Sequence, residues 1–157
     1  METKPAVRRA VREDTLTLWR LIDALADYEK LSPPDDAAKA RLAEDLFGSP
    51  PRIDAFLAEM NGSAAGYALI LETYSSFLAL PTLFLEDIFV LSEWRGHKVG
   101  SALFREVIAE ARRRGCGRIE WAVLTWNQLA IDFYERYGAK RLEDWRVYRL
   151  DLNKKND

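Results

Sequence analysis

The chain has 157 residues, 48% hydrophobic and 31% charged, a make-up that suits one globular domain with enough chain to bury a core. A net charge of −2 gives no bulk electrostatic pull toward nucleic acid or a membrane surface. One cysteine and one histidine exclude an intrachain disulfide and a zinc site of the usual kind.

The N-terminal run Met-Glu-Thr-Lys-Pro-Ala-Val-Arg-Arg lacks the apolar core of a signal peptide. The longest apolar stretch, Ala64 to Leu71, falls far short of the ~20 residues of a spanning helix. Both point to a cytoplasmic chain with no membrane partner. The last residues, Asn153 to Asp157, are expected to fray.

Val7 to Val11 reads as a first strand. Glu13 to Glu29 carries Leu16, Trp19, Leu21, Ile22, Leu25 and Ala26 near helical spacing, with Glu13 and Asp14 at its start. Ser32-Pro33-Pro34 breaks that helix, and Asp35 and Asp36 open a second, Ala37 to Phe47, which ends at Gly48. Ile53 to Met60 and Ser63 to Tyr74 flank Asn61-Gly62, a strong hairpin signal. A loop leads to a strand from Thr82 to Leu91. A helix from Val99 to Arg114 follows, with Val99, Ala102, Leu103, Val107, Ile108 and Ala111 on one face. Arg112 to Arg114 complement its carboxyl end and Gly115 stops it, so this basic run is a helix end and no sign of a nucleic-acid partner. Ile119 to Thr125 reads as a strand, Asn127 caps a short helix to Arg136, and Lys140 to Leu150 supplies one or two final strands. The whole is a mixed α/β sheet with helices on it, expected as a single domain over 5–153.

Arg95-Gly96-His97-Lys98-Val99-Gly100-Ser101 joins the strand Leu83–Val90 to the helix from Val99. A strand that turns through a basic, glycine-bearing loop into a helix is an anion-binding device: the first-turn N–H groups are unspent and the helix dipole adds about half a positive charge. The loop has neither the Walker spacing nor the three spaced glycines of a dinucleotide fold. Glu86 and Asp87 interrupt an otherwise apolar strand, so each needs an Arg or Lys partner or a wet cleft. Consecutive strand residues face opposite sides, so both face one cavity only where the strand bulges.

Three stretches together carry a family resemblance: Leu85-Glu86-Asp87-Ile88-Phe89-Val90, the spacing Arg95-x-x-Lys98-x-Gly100, and Trp126-Asn127 followed by Phe133-Tyr134-x-x-x-Gly138-Ala139. This combination resembles the GNAT (GCN5-related N-acetyltransferase) superfamily across essentially the whole chain, and its spermidine/spermine N-acetyltransferase-like branch in particular. Leu25-Ala26-Asp27-Tyr28-Glu29 is similar to that branch's first-helix end. The resemblance implies the acyl-CoA N-acyltransferase fold, a central mixed sheet of about 6–7 strands with about 4 helices, splayed between the fourth and fifth strands. It also implies a homodimer built around the last strands, acetyl-CoA as co-substrate, and no metal.

Carried over by residue, Gly96, Lys98, Val99, Gly100 and Ser101 would surround the pyrophosphate, with Arg95 at the entrance. Phe89 and Val90 would offer backbone groups to the pantetheine arm, and the strand would splay from its parallel neighbour near Thr125. Asn127 would bind the cofactor, and a plain helix cap is compatible with that role. Lys98 departs from the pattern, since the family has glycine there. A lysine keeps the N–H, is expected to need an ordinary negative φ, and adds an ammonium for a CoA phosphate.

Acetyl transfer to an amine requires loss of the ammonium proton, polarisation of the thioester carbonyl and protonation of the leaving thiolate. The motif gives Tyr134 the last role, the alternative being a packed helix tyrosine; a phenol of pKa near 10 suits a thiolate of similar basicity. Glu86 is the candidate for proton removal, and Asp87 for holding ammonium groups. Tyr28 and Glu29 match the branch's acceptor side, although Glu29 also reads as an exposed helix-end charge. The expected acceptor is a di- or polyamine; a lysine-like amino acid such as thialysine is the alternative and needs a basic group that the sequence does not locate. A CoA-binding regulatory module without chemistry is the reading of another class.

Overall fold

The structure, a computed structural model, describes residues 3–153. The residues expected to fray at 154–157 lie outside the described residues. The chain divides into two compact units, Met1–Ala122 and Val123–Asp157.

The first unit carries β1 (Ala6–Arg9), α1 (Thr15–Tyr28), α2 (Asp36–Phe47), β2 (Asp54–Met60), β3 (Ser63–Ser75), β4 (Leu80–Val90), α3 (Val99–Arg113) and β5 (Arg118–Glu120), with short 3-10 turns before α1 and α3. Its five strands form one mixed sheet in the order β1-β2-β3-β4-β5, antiparallel throughout except for the parallel β4–β5 pair. β1 to β4 are joined edge to edge, and α3 supplies the crossover that a parallel neighbour requires.

Local demands place most of these elements. Asn61 and Gly62 take φ of +52° and +78°, the paired positive values of a tight hairpin turn, and Met60 pairs with Ser63 across it. The Asp35 carboxylate accepts the Ala38 N–H at 2.8 Å, so α2 begins one residue before the expected Ala37. One face of the sheet packs Ala55, Leu57, Tyr67, Leu69 and Phe89 against Leu18 and Leu21 of α1 and Leu46 of α2. The opposite face takes α3, whose buried residues are Val99, Leu103, Phe104, Val107, Glu110 and Ala111. Phe104 and Glu110 are thus buried, whereas Ala102 and Ile108, expected on the same face, are half-buried. Gly66 is what lets α3 approach: a Cβ there would lie 2.5 Å from the Phe89 carbonyl oxygen and 3.3 Å from Leu103 Cδ1.

Glu110 is buried because α3 and the strands meet through a charge network. Its carboxylate accepts from Arg114 Nε at 2.9 Å, Arg113 Nη2 at 2.5 Å and Arg9 Nη2 at 3.1 Å. Asp54 of β2 pairs with Arg9 and with Arg114 Nη2, the latter at 2.6 Å. The arginines expected only to complement the helix dipole therefore also tie α3 to β1 and β2.

Two strand expectations are corrected. The strand expected over Ile119 to Thr125 is β5, which ends at Glu120; it pairs with β4 only over Thr82–Phe84. The one or two strands expected over Lys140 to Leu150 do not form: the second unit contains α4 (Gln128–Arg136) and no strand among its described residues. A β pattern becomes a strand only when a neighbouring edge accepts its ladder, and this unit holds none. Among the described residues the sheet has five strands rather than six or seven. The expected four helices and the opening between the fourth and fifth strands hold for those residues.

Candidate active site

The opening follows from the lengths of the two strands. β4 runs on to Val90 after its last pairing with β5 at Phe84. Among the described residues no strand covers its outer edge from Leu85 to Val90. Val90 pairs with Gly66 on the inner side, and its carbonyl accepts Arg95 Nε at 3.3 Å.

Beyond β4, the loop into α3 turns on two positive φ angles, +80° at Gly96 and +65° at Lys98. The expectation of a negative φ for Lys98 is therefore wrong. Lys98 adopts the left-handed conformation that a glycine would take, at a cost of roughly 1–2 kcal/mol for a residue with a Cβ. Lys98 precedes the first residue of α3 and its carbonyl accepts the Ala102 N–H at 3.0 Å; a helix cap ordinarily takes extended backbone, so the left-handed turn belongs to the loop and not to the cap. In exchange, the N–H groups of Gly96, Lys98, Val99, Gly100 and Ser101 donate to no protein acceptor. Alternating backbone curvature followed by a helix start makes a concave cradle of donors, which suits a diphosphate. Lys98 is exposed and enters no ion pair; His97, also exposed, is held by an Nδ1 contact to the Arg95 carbonyl at 3.1 Å and lies edge-on to Trp94.

The acidic residues gather through a bulge. Leu69 of β3 faces Asp87 and Ile70 faces Leu85, so Glu86 has no opposite residue. An extra residue lets neighbours in sequence leave strict alternation. Asp87 shares the α1 side with Tyr67, Leu69 and Phe89, and Glu86 is exposed. Burial, then the charge of Glu86, raises the Glu29 carboxyl above its ordinary value. Burial likewise pushes Asp87 up to about 6; the Tyr67 hydrogen bond opposes this, while Glu86 and Glu29 add to it. The three carboxylates feel one another, and none of them forms an ion pair with Lys or Arg.

Tyr28 and Glu29 come to this cluster by the way α1 ends. Lys30 takes φ of +59°, its N–H reaches the Asp27 carbonyl at 3.1 Å, and the Leu31 N–H reaches that of Ala26 at 2.9 Å. This double-bonded stop fixes the direction of the last turn. The Tyr28 ring lies 5.9 Å from that of Phe89, and the Arg95 guanidinium sits 4.8 Å above Tyr28 and 5.8 Å from Phe89. The helix end, the strand and the anion loop therefore meet in one stack. Arg95, expected only at the cofactor entrance, also packs on Tyr28 and Phe89.

In the second unit, Asn127 caps α4 by accepting the Ala130 N–H at 3.3 Å. Tyr134 is half-buried, its ring 5.7 Å from Phe133 in an edge contact. The spacing Tyr134-x-x-x-Gly138-Ala139 has a structural reason. Gly138 takes φ of +81°, and the Ala139 N–H closes on the Tyr134 carbonyl at 3.2 Å, ending the helix.

The Acetyltransferase (GNAT) family model matches residues 17–139. The chain belongs to the GNAT acetyltransferase family. It is 34% identical to the thialysine N-epsilon-acetyltransferase of Bos taurus over 92% of this chain and 91% of that one. It is 28% identical to the human spermidine/spermine N(1)-acetyltransferase-like protein 1, over 92% of this chain and 22% of that protein. An aminoglycoside N-acetyltransferase solved in complex with CoA shares the fold, with a TM-score of 0.79 and 23% identity over 96% of this chain and 97% of that one. As a GNAT protein the chain is an N-acetyltransferase of a family that uses acetyl-CoA, and its unspent loop N–H groups fit that co-substrate. No helix among the described residues is long and apolar enough to cross a membrane.

Sequence reasoning did not find Tyr67, whose hydroxyl donates to Asp87 Oδ2 at 2.8 Å. The one available signal is a tyrosine inside an otherwise aliphatic buried strand.

Proposed function

We propose that the protein transfers acetyl from acetyl-CoA directly to a primary amine of a small cationic acceptor such as a di- or polyamine. The observation that carries this is the set of Glu29, Glu86 and Asp87, three coupled carboxylates without an ion-pair partner. Gathering such charges raises the free energy of the empty site, and an ammonium chain relieves it.

In this reading Gly96, Lys98, Val99, Gly100 and Ser101 hold the pyrophosphate, Arg95 closes the entrance, Phe89 and Val90 line the pantetheine arm, and Asn127 contacts the cofactor. Acetyl-CoA supplies an activated acyl group. Tyr28, Glu29 and Asp87 hold the acceptor. Glu86, on the bulge and exposed, takes the ammonium proton directly or through a water. Tyr134 gives a proton to the departing thiolate. Residues 5–153 act as one catalytic domain, a reading supported by a family match that runs from 17 to 139. The scheme needs no metal. We also take the protein to be a cytoplasmic homodimer; the exposed Trp145, Val147, Tyr148 and Leu150 support such an interface.

A second reading, a lysine-like amino acid as acceptor, is favoured by Arg95. Its guanidinium over Tyr28 is the basic group that a carboxylate-bearing acceptor requires. A thiol-release assay across spermidine, putrescine, thialysine, ornithine and lysine separates the two. Tyr134→Phe should lower kcat by about 100-fold or more while acetyl-CoA still binds. Unchanged turnover removes Tyr134 from the scheme, and binding without turnover on every amine makes the protein a CoA-binding module.

A further inference from the structure

We propose that Tyr67 is a positioning residue of the acceptor site, holding Asp87 by one oxygen so that the other stays open to the acceptor's ammonium. This rests on the amine-acetylation reading above.

Tyr67 is 0% exposed and lies in the middle of β3 among Leu18, Leu21, Leu57 and Leu69. A phenylalanine would serve that packing equally. The hydroxyl costs desolvation and recovers it through one bond, to Asp87 Oδ2 at 2.8 Å. Tyr67 faces Phe89 directly, which makes Asp87 its diagonal neighbour and puts the carboxylate within reach of the ring's tip. Asp87 Oδ1 accepts no protein hydrogen bond, yet it is not among the buried unpartnered oxygens, so it keeps contact with solvent. One oxygen is anchored and the other is available.

The anchor matters because the other charged groups acting on Asp87 are acidic. Glu86 approaches from its own strand and Glu29 from the end of α1, while the Arg95 guanidinium stacks on Tyr28 and Phe89 and donates to Val90 rather than to Asp87. Burial, followed by the charge of Asp87, pushes the Tyr67 phenol well above its ordinary range, so it remains a donor at every working pH. Among the described residues Tyr67 is thus the one group hydrogen-bonded to Asp87 that favours its ionised form. Without it the carboxyl retains its proton to higher pH and loses its fixed direction. Both changes weaken the grip on a cationic acceptor and leave the cofactor cradle alone.

The test is Tyr67→Phe, with three readouts. In substrate-free protein, carbon-detected NMR of the Asp87 carboxyl should titrate roughly one pH unit higher than in the parent, a tenfold change in proton affinity. The acceptor KM should rise about twofold at pH 7 and approach tenfold near pH 5, and the acidic limb of kcat/KM should move up by the same unit. Acetyl-CoA affinity should stay within twofold. An Asp87 titration that does not move overturns the proposal, whatever the acceptor is. An unchanged KM and pH profile in an enzyme that does acetylate amines overturns it alone; a parent protein that acetylates no amine sinks the functional reading, and the NMR titration still decides Tyr67. Should Tyr67→Phe fail to fold, Asp87→Asn, which keeps an acceptor for the phenol, must shift the acidic limb, leaving only the part due to Glu86 and the acceptor's own ammonium. A limb of unchanged shape and midpoint overturns the proposal as well.

Discussion

The Arg95 guanidinium lies 4.8 Å above the Tyr28 ring, joining the first residue of the anion loop to the last turn of α1. The same side chain donates to the Val90 carbonyl at 3.3 Å. A residue that a motif assigns to the cofactor therefore also packs on Tyr28, which we propose holds the acceptor. Arg95→Ala should raise the acceptor KM about fivefold through the lost cation–π contact alone. Arg95→Lys keeps the charge but not the planar fork and should recover little of this. An amino-acid acceptor should suffer more than a diamine, because only the former has a carboxylate for the guanidinium. Steady-state kinetics on thialysine and spermidine with the same variants measure the difference. Equal losses on both would leave Arg95 a packing residue.

Lys98 carries the loop's strain. With φ of +65°, Lys98→Gly should stabilise the protein by about 1 kcal/mol, since glycine takes this conformation without the Cβ penalty. The melting temperature should rise by roughly 2–4 °C for a chain of this size. The ammonium acts in the opposite sense. If it contacts a CoA phosphate, Lys98→Gly weakens acetyl-CoA binding at low salt and the deficit shrinks as salt is added. Calorimetric titration at two ionic strengths checks both parts.

Much of this fold is legible in the sequence because its signals are local. The Asn61-Gly62 turn, the Asp35 cap and the Gly115 stop each answer a backbone demand within a few residues. The loop of 95–101 and the Tyr134-x-x-x-Gly138-Ala139 helix end are local in the same way. The Tyr67–Asp87 bond is not. It depends on the register of β3 against β4, which a longer connection than a two-residue turn leaves open, and on a bulge that shifts that register by one at Glu86. The left-handed Lys98 is hidden for a different reason: residue type states only a preference, and here the loop's path overrides it. The unformed strands over Lys140 to Leu150 show the third limit, since β propensity needs an edge to pair with.

Asp87 lowers stability in its charged form. Its folded pKa is raised to about 6 from 3.8, so the native state binds the proton more tightly than the unfolded chain. Stability therefore falls as pH rises from about 4 through 6, and the loss is complete above that range. Asp87→Asn removes the buried charge while keeping an acceptor for Tyr67. It should be more stable than the parent at pH 7–8 by on the order of 2 kcal/mol, and the advantage should vanish near pH 4. The acceptor KM should rise sharply in the same variant. Denaturant melts at several pH values, set beside amine kinetics, test this; a variant less stable at pH 8 would mean that the carboxylate is not strained there.

Glu110 is the opposite case, a carboxylate whose environment favours its charge. Burial would raise it, but hydrogen bonds from Arg114 and Arg113 outweigh that and bring it down to about 2. A depressed folded pKa contributes stability that is present above the unfolded value of 4.5 and is lost as pH falls from there toward 2. Glu110→Gln should flatten the acid limb of the stability profile. At neutral pH it should cost about 2 kcal/mol, less than the roughly 3–5 kcal/mol of a fully buried broken pair, because Arg9 and Arg113 are exposed and can rehydrate. Glu110 lies in the last turn of α3, about 16 Å along the helix from the N–H cradle at its start. Acetyl-CoA affinity and acceptor KM should then remain within twofold of the parent at a temperature where both proteins are folded. A selective loss of acetyl-CoA binding would show instead that the network at the end of α3 shapes the cradle at its beginning.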